Sequence, residues 1–153
     1  MDENEVRQET LKHIEKVREL LYKVIHRLSS RAGLHDKTKL GPEELPIFLE
    51  YTSKLKGCTY GSDEYKQFLA EMKPALDHHY ANNRHHPEHF QRGIAEMDLI
   101  DIVEMFCDWL AATQRHADGN IYASIDINQK RFGYSEDLKA IFFNTAKVFI
   151  EKE

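Results

Sequence analysis

The sequence is poor in the residues that staple or interrupt a fold: two cysteines, four prolines and seven glycines in 153 residues. Cys58 and Cys107 are too far apart for a CxxC pair and too few for a disulfide framework. A reducing compartment is the simpler setting, with both thiols packing as small apolar groups. No apolar run approaches the roughly 20 residues that span a bilayer. The acidic start MDENEVRQE lacks the basic end of a secretory signal, so the expected location is the cytoplasm. Positive charge is also in deficit: the net charge is -5 and the pI near 6.0. Broad binding to nucleic acid or an anionic membrane needs a concentrated positive field and is not expected, although a local basic pocket is compatible with this balance.

Histidine is in excess. There are nine, and His78, His79, His85, His86 and His89 fall within one short stretch. Such a cluster suggests a metal site, although five histidines so closely spaced cannot all face one ion.

The chain length suits one domain, able to bury roughly two thirds of its unfolded surface without a staple. From Glu3 to about Arg31, Val6, Ile14, Val17, Leu21, Val24 and Leu28 recur at helical spacing, uninterrupted by proline or glycine. His13 is expected at the edge of that stripe and His26 on its wetter side. Ala32-Gly33 should loosen this helix, with a short HDKTKL segment at 35–40. Pro42 should open a helix over about 43–55, with Glu43 and Glu44 at its positive end. Residues 56–61 read as a loop, and Ser62 as the N-cap of a third helix running toward Tyr80. Residues 81–96, with Pro87 and Gly93, read as an ordered loop carrying histidines. Asp98 to about His116 is apolar enough around its circumference to be the central buried helix. A weaker helix over 122–131 and a last one from Ser135 to about Glu151, striped by Ile141, Phe142, Thr145, Val148 and Phe149, complete the chain. The expectation is one all-α domain over 1–153, a bundle of five to seven helices.

Candidate chemistry sits at three places. His35-Asp36 offers an imidazole and a carboxylate, a donor set suited to a divalent transition ion such as Mn, Fe, Zn, Ni or Co. Asp101, Glu104 and Asp108 recur at three and four residues on one stripe of an otherwise apolar helix, where buried carboxylates need cations, donors or metal. A stripe reaching solvent and pairing with Arg115 is the plainer alternative. Together with His13, His78, His79, His85 and His86, these residues would lie on different elements of a bundle, as metal sites in bundle cores do.

HDKTK at 35–39 resembles the HD-x-x-K segment of the HD phosphohydrolase superfamily, especially its HD-GYP branch. His78-His79-Tyr80, followed by HHPEHF at 85–90, is similar to the His-His-Glu segment of that branch and the loop after it. IVEMFCDWLAATQRH at 102–116 resembles the helix that supplies its last aspartate, matching Asp108. Over nearly the whole chain, HDKTKL, MKPALDHHYANNRHHPEHF and LIDIVEMFCDWLAAT also resemble a family of small bacterial and phage proteins classed as a domain of unknown function, number 5662. The HD resemblance implies an HD-like helical domain in which His13, His35, Asp36, His78, His79, His85, His86 and Asp108 are metal-ligand candidates, with His26 competing for the place of His13. It implies that Lys39 faces a substrate phosphate. Arg84 and, more remotely, Arg115 are further phosphate-binding candidates, and Glu104 or Asp101 could fix a histidine tautomer. Lys39, Asp36 and Glu104 are thus the catalytic candidates. The GYP tripeptide is absent, so a generic phosphohydrolase is expected ahead of a cyclic-dinucleotide phosphodiesterase.

The expected function is hydrolysis of a nucleotide or other small phosphate ester by metal-activated water, using one or two divalent ions. Two other readings stand beside it. One is a non-enzymatic phage or mobile-element module that sequesters a nucleotide or binds a host protein, in which case the location is the host cytoplasm. The other is a diiron oxygenase on the same scaffold.

Overall fold

The computed structural model describes residues 1–58, 62–115 and 119–150. Among them are seven α-helices and no strand: α1 (Glu3–Leu34), α2 (Leu45–Gly57), α3 (Asp63–Glu71), α4 (Lys73–Asn82), α5 (Leu99–Thr113), α6 (Ile121–Phe132) and α7 (Glu136–Ile150). Three 3₁₀ turns at Lys37–Leu40, Pro87–His89 and Gly93–Glu96 join them. The protein is all-α, with the helix number expected from its periodicity. The expected loop at Thr59-Tyr60-Gly61, the helix end at His116 and the last turn at Glu151 lie outside the described residues. None of the described helices is long and apolar enough to cross a membrane.

Two compact units are present, Met1–His35 and Asp36–Glu153. The first is α1. It starts at Asp2, whose side chain accepts from the Glu5 N–H while Glu5 reaches back to the Asp2 N–H, which satisfies two of the donors a helix start leaves open. Exposed ion pairs such as Lys16–Glu19 and Lys23–Glu19 run along it. Ala32-Gly33 does not loosen this helix, which continues to Leu34. A single glycine near a helix end costs only about 1 kcal/mol.

In the second unit, α5, α6 and α7 pack around one apolar core of Met105, Phe106, Leu110, Ile121, Ile125, Tyr134, Phe142 and Ala146. Phe106 stacks on Phe142 with centroids 5.8 Å apart, and Trp109 and Tyr134 meet Phe142 edge-on. Tyr134 buries its ring and donates its hydroxyl to the Ile125 carbonyl at 2.6 Å, satisfying its one polar group. Asn120 caps α6, and Gly133, at φ +67, takes the left-handed conformation that ends it. Ser135 caps α7 as expected, accepting from the Leu138 N–H.

Two expectations about burial need correction. The buried side of α7 is Phe142 with Ala146, whereas Ile141, Val148 and Phe149 are exposed. Similarly, α5 is not buried all round: Leu99, Val103 and Cys107 form an exposed row along it. A helix apolar around its circumference has more surface than its neighbours cover, and periodicity does not say which part they choose.

Beside this core, α2, α3 and α4 gather around the turns. The expected third helix is two, because the chain turns at Met72 and restarts with Pro74 in the first turn of α4, where a missing N–H costs nothing. Likewise α2 begins at Leu45, with Pro46 rather than Pro42 in its first turn.

Candidate metal centre

Asp36 opens the second unit in a left-handed conformation, at φ +56, and is the only non-glycine residue among those described with positive φ. Aspartate tolerates this region better than most residues. The bend starts the 3₁₀ turn without using the Asp36 side chain as a cap, leaving it for other contacts. One oxygen meets Lys39 Nζ at 2.6 Å; the other lies 3.2 Å from His79 Nε2 and 3.5 Å from His85 Nε2.

Three histidines converge here because two elements face each other. His79 is on α4, while His85 and His86 lie on the chain that leaves it, which Asn83 starts in an extended conformation. His79 and His85 are almost fully buried. His79 Nε2 and His86 Nε2 are 3.0 Å apart. Asp36, His79, His85 and His86 can each present one donor atom within 4.8 Å of all the others. Two ligands about 2.1 Å from one ion, at tetrahedral or octahedral angles, lie roughly 3.0–3.4 Å apart. The separations of 3.0, 3.2 and 3.5 Å follow that spacing closely.

The outer ring nitrogens are held as well. His79 Nδ1 is 2.9 Å from Glu44, whose side chain is fully buried and meets His78 Nδ1 at 2.7 Å with its other oxygen. His85 Nδ1 is 3.2 Å from Glu104. An ionised carboxylate only accepts, so each of these Nδ1 atoms donates its proton to the carboxylate behind it, which leaves Nε2 as the ring atom that a metal ion would take in place of a proton. Carboxylates behind ligating histidines commonly fix the tautomer in this way.

The electrostatics follow the same partition. Burial works against charge on Asp36 and on Glu44. The histidines around both, together with Lys39 at Asp36 and Thr38 at Glu44, hold the two carboxyls below their ordinary range. Burial opposes a proton on His85 too, but Asp36 and Glu104 outweigh it and push its pKa up to about 9. For His86, burial and the neighbouring His85 and His79 lower the pKa to about 2, so it is neutral.

Among the other candidates, Asp108 on α5 is half-buried and offers an oxygen within 4.8 Å of one from Asp36. The expected carboxylate stripe therefore faces inward: Glu104 toward His85, Asp108 toward Asp36 and fully buried Asp101 toward Arg84. Arg84 makes a two-pronged contact with Asp101 at 3.1 and 2.8 Å and lies over the Phe90 ring, so its guanidinium is engaged within the fold. His78 faces Glu44 rather than the cluster, and His89 bonds the Tyr80 carbonyl. Arg115 is exposed beyond the C-cap of α5. His13 and His26 are exposed on α1, and His35 closes that helix with its N–H on the Arg31 carbonyl.

Glu44 is the residue that sequence reasoning missed. Paired with Glu43 after a proline, it reads as an acid at a helix start. It precedes the first turn of α2, caps nothing and turns inward. Only the fold distinguishes it from its exposed neighbour Glu43.

Beside His86 and Asp108, a cavity of about 680 Å³ opens between α5 and α6, walled by Tyr80, Trp109, Phe132 and Arg131. No curated protein and no solved structure matches the chain. A family model described as a family of unknown function (DUF5662) matches residues 2–151, and the chain belongs to that family.

Proposed function

We propose that this protein is a metal-dependent phosphohydrolase acting on a nucleotide or other small phosphate ester. The proposal is confined to the unit Asp36–Glu153: Asp36, His79, His85 and His86 as the core of the metal centre, with Asp108 beside them. The observation that carries it is the spacing of the three Nε2 atoms and the Asp36 oxygen, with Glu44 and Glu104 behind two of the histidines. The left-handed backbone at Asp36 adds to it, since strained residues gather at functional sites.

A divalent transition ion in this donor set would acidify a water and offset charge on a phosphoryl oxygen. In hydrolysis the water oxygen bonds to phosphorus, the ester P–O bond breaks and the departing oxygen takes up a proton. Lys39 is suited to the phosphate. Its Nζ is held by Asp36 at the rim of the cluster and sits 5.5 Å from the Phe48 ring centre, on a flexible stem that can swing to an incoming anion. Glu104 and Glu44 hold their histidines in place through the reaction.

The test loads protein purified without a histidine tag with Mn, Fe, Co, Ni or Zn in turn and measures phosphate release from a panel of monoesters and diesters. Turnover with at least one ion is expected, with loss in Asp36→Asn and His79→Gln. Lys39→Ala should keep its metal and lose roughly tenfold to thousandfold in rate. Stoichiometric metal with no release from any ester contradicts the hydrolase. Oxygen consumption by the iron-loaded protein would favour an oxygenase instead.

A further inference from the structure

The cavity between α5 and α6 has a composition of its own. Its volume of about 680 Å³ lies within the range of small-molecule sites. Its lining includes His86, a member of the cluster described above, and Asp108, which offers an oxygen within 4.8 Å of one from Asp36. Also in the lining are the aromatic residues Tyr80, Trp109 and Phe132 and the hydroxyl- or amide-bearing residues Thr113, Ser124 and Asn128.

Its charge runs against a polyanion. Among the described lining residues only Arg131 is cationic, and its guanidinium is 2.6 Å from Glu88 and lies over the Phe132 ring. Asp108 adds a negative charge at the cluster end. A triphosphate chain laid along this cavity would meet one already neutralised guanidinium and a carboxylate. Moving a poorly paired charge out of water is unfavourable. A flat, uncharged ring with donors and acceptors at its edges suits a lining of aromatic and amide side chains, as ligands in such pockets do.

Building on the proposed hydrolase, we infer that this cavity holds the nucleoside half of a nucleoside monophosphate. The single phosphate sits at the His86–Asp108 end, and polyphosphates are excluded. The bond broken is the ester P–O bond to the sugar, water supplies the oxygen, and the products are the nucleoside and inorganic phosphate.

The chain contains one tryptophan, Trp109, and it lines the cavity, so its fluorescence reports occupancy without a label. The full chain, with and without bound manganese, is titrated with adenosine, AMP and ATP. Adenosine is expected to quench Trp109 in both forms. In the manganese form AMP should bind more tightly than adenosine, and ATP at least about tenfold more weakly than AMP, a gap of about 1.4 kcal/mol. Ala123→Phe places a ring in the cavity from an exposed position on α6. It should abolish the response to adenosine while leaving metal content unchanged. ATP binding as tightly as AMP overturns the assignment of a single phosphate. No response to any of the three compounds in protein that retains its metal overturns the cavity assignment but leaves the metal centre standing. Adenosine quenching in a chain that cannot be loaded with any of the candidate ions supports the cavity and breaks the hydrolase reading.

Discussion

The second unit buries two regions that are held together by different physics. Around Phe106, Ile125, Phe142 and Tyr134 the interior is apolar, and its one buried hydroxyl donates to a carbonyl. Around Asp36, the buried side chains are Glu44, His79, Asn83, His85 and, further along α5, Asp101. The first region gains from every methylene removed from water. The second gives up hydration of charged groups, recovering it only through mutual pairing. Costly groups placed together, with further carboxylates behind the histidines, are the arrangement a metal site requires and an apolar core does not. That contrast, more than any single residue, supports the metal reading.

The comparison can be broken from either side. The largest effect is expected from Phe142→Ala, which opens a void under three aromatic rings. Denaturant unfolding should show a loss of about 3–5 kcal/mol, with the metal affinity of the folded fraction unchanged. A loss of metal affinity in step with stability would mean that the two regions are one. Glu44→Gln should do the reverse. A neutral amide can donate to His79 Nδ1 and favour the wrong tautomer, so metal affinity by competition with a chelator should fall roughly tenfold to a hundredfold. The near-ultraviolet signal of Trp109 should stay as it was, and unchanged affinity would remove Glu44 from the centre. Tyr134→Phe is the smallest change. Loss of one buried hydrogen bond should cost about 1–2 kcal/mol in the same unfolding experiment and nothing in metal content.

The helices were legible wherever a local signal marks them. Asp98, Ser62 and Ser135 cap where their residue types lead one to expect, because capping is decided within one turn of chain. The split at Met72 was not, since Pro74 fits a first turn as well as it breaks an interior. Of the candidate site, the carboxylate row of α5 and the histidine doublets were visible through spacing and composition. That one doublet brings only His79 to the cluster while the other brings both His85 and His86 was not. His78 and His79 are neighbours in sequence, yet Glu44 takes the first with one oxygen and steadies the second with the other. Arg84 looked free for a phosphate because its partner Asp101 lies 17 residues away, a pairing set by the fold.

The central claim is that Asp36, His79, His85 and His86 surround a metal ion, and elemental analysis tests it most directly. Protein purified without a histidine tag is compared with Asp36→Ala, His79→Ala and Phe142→Leu, each shown to be folded by its Trp109 signal. Stoichiometric transition metal is expected in the parent and in Phe142→Leu, and little or none in the two cluster variants. Equal metal in all four proteins, or none in the parent after incubation with each candidate ion, would contradict the account.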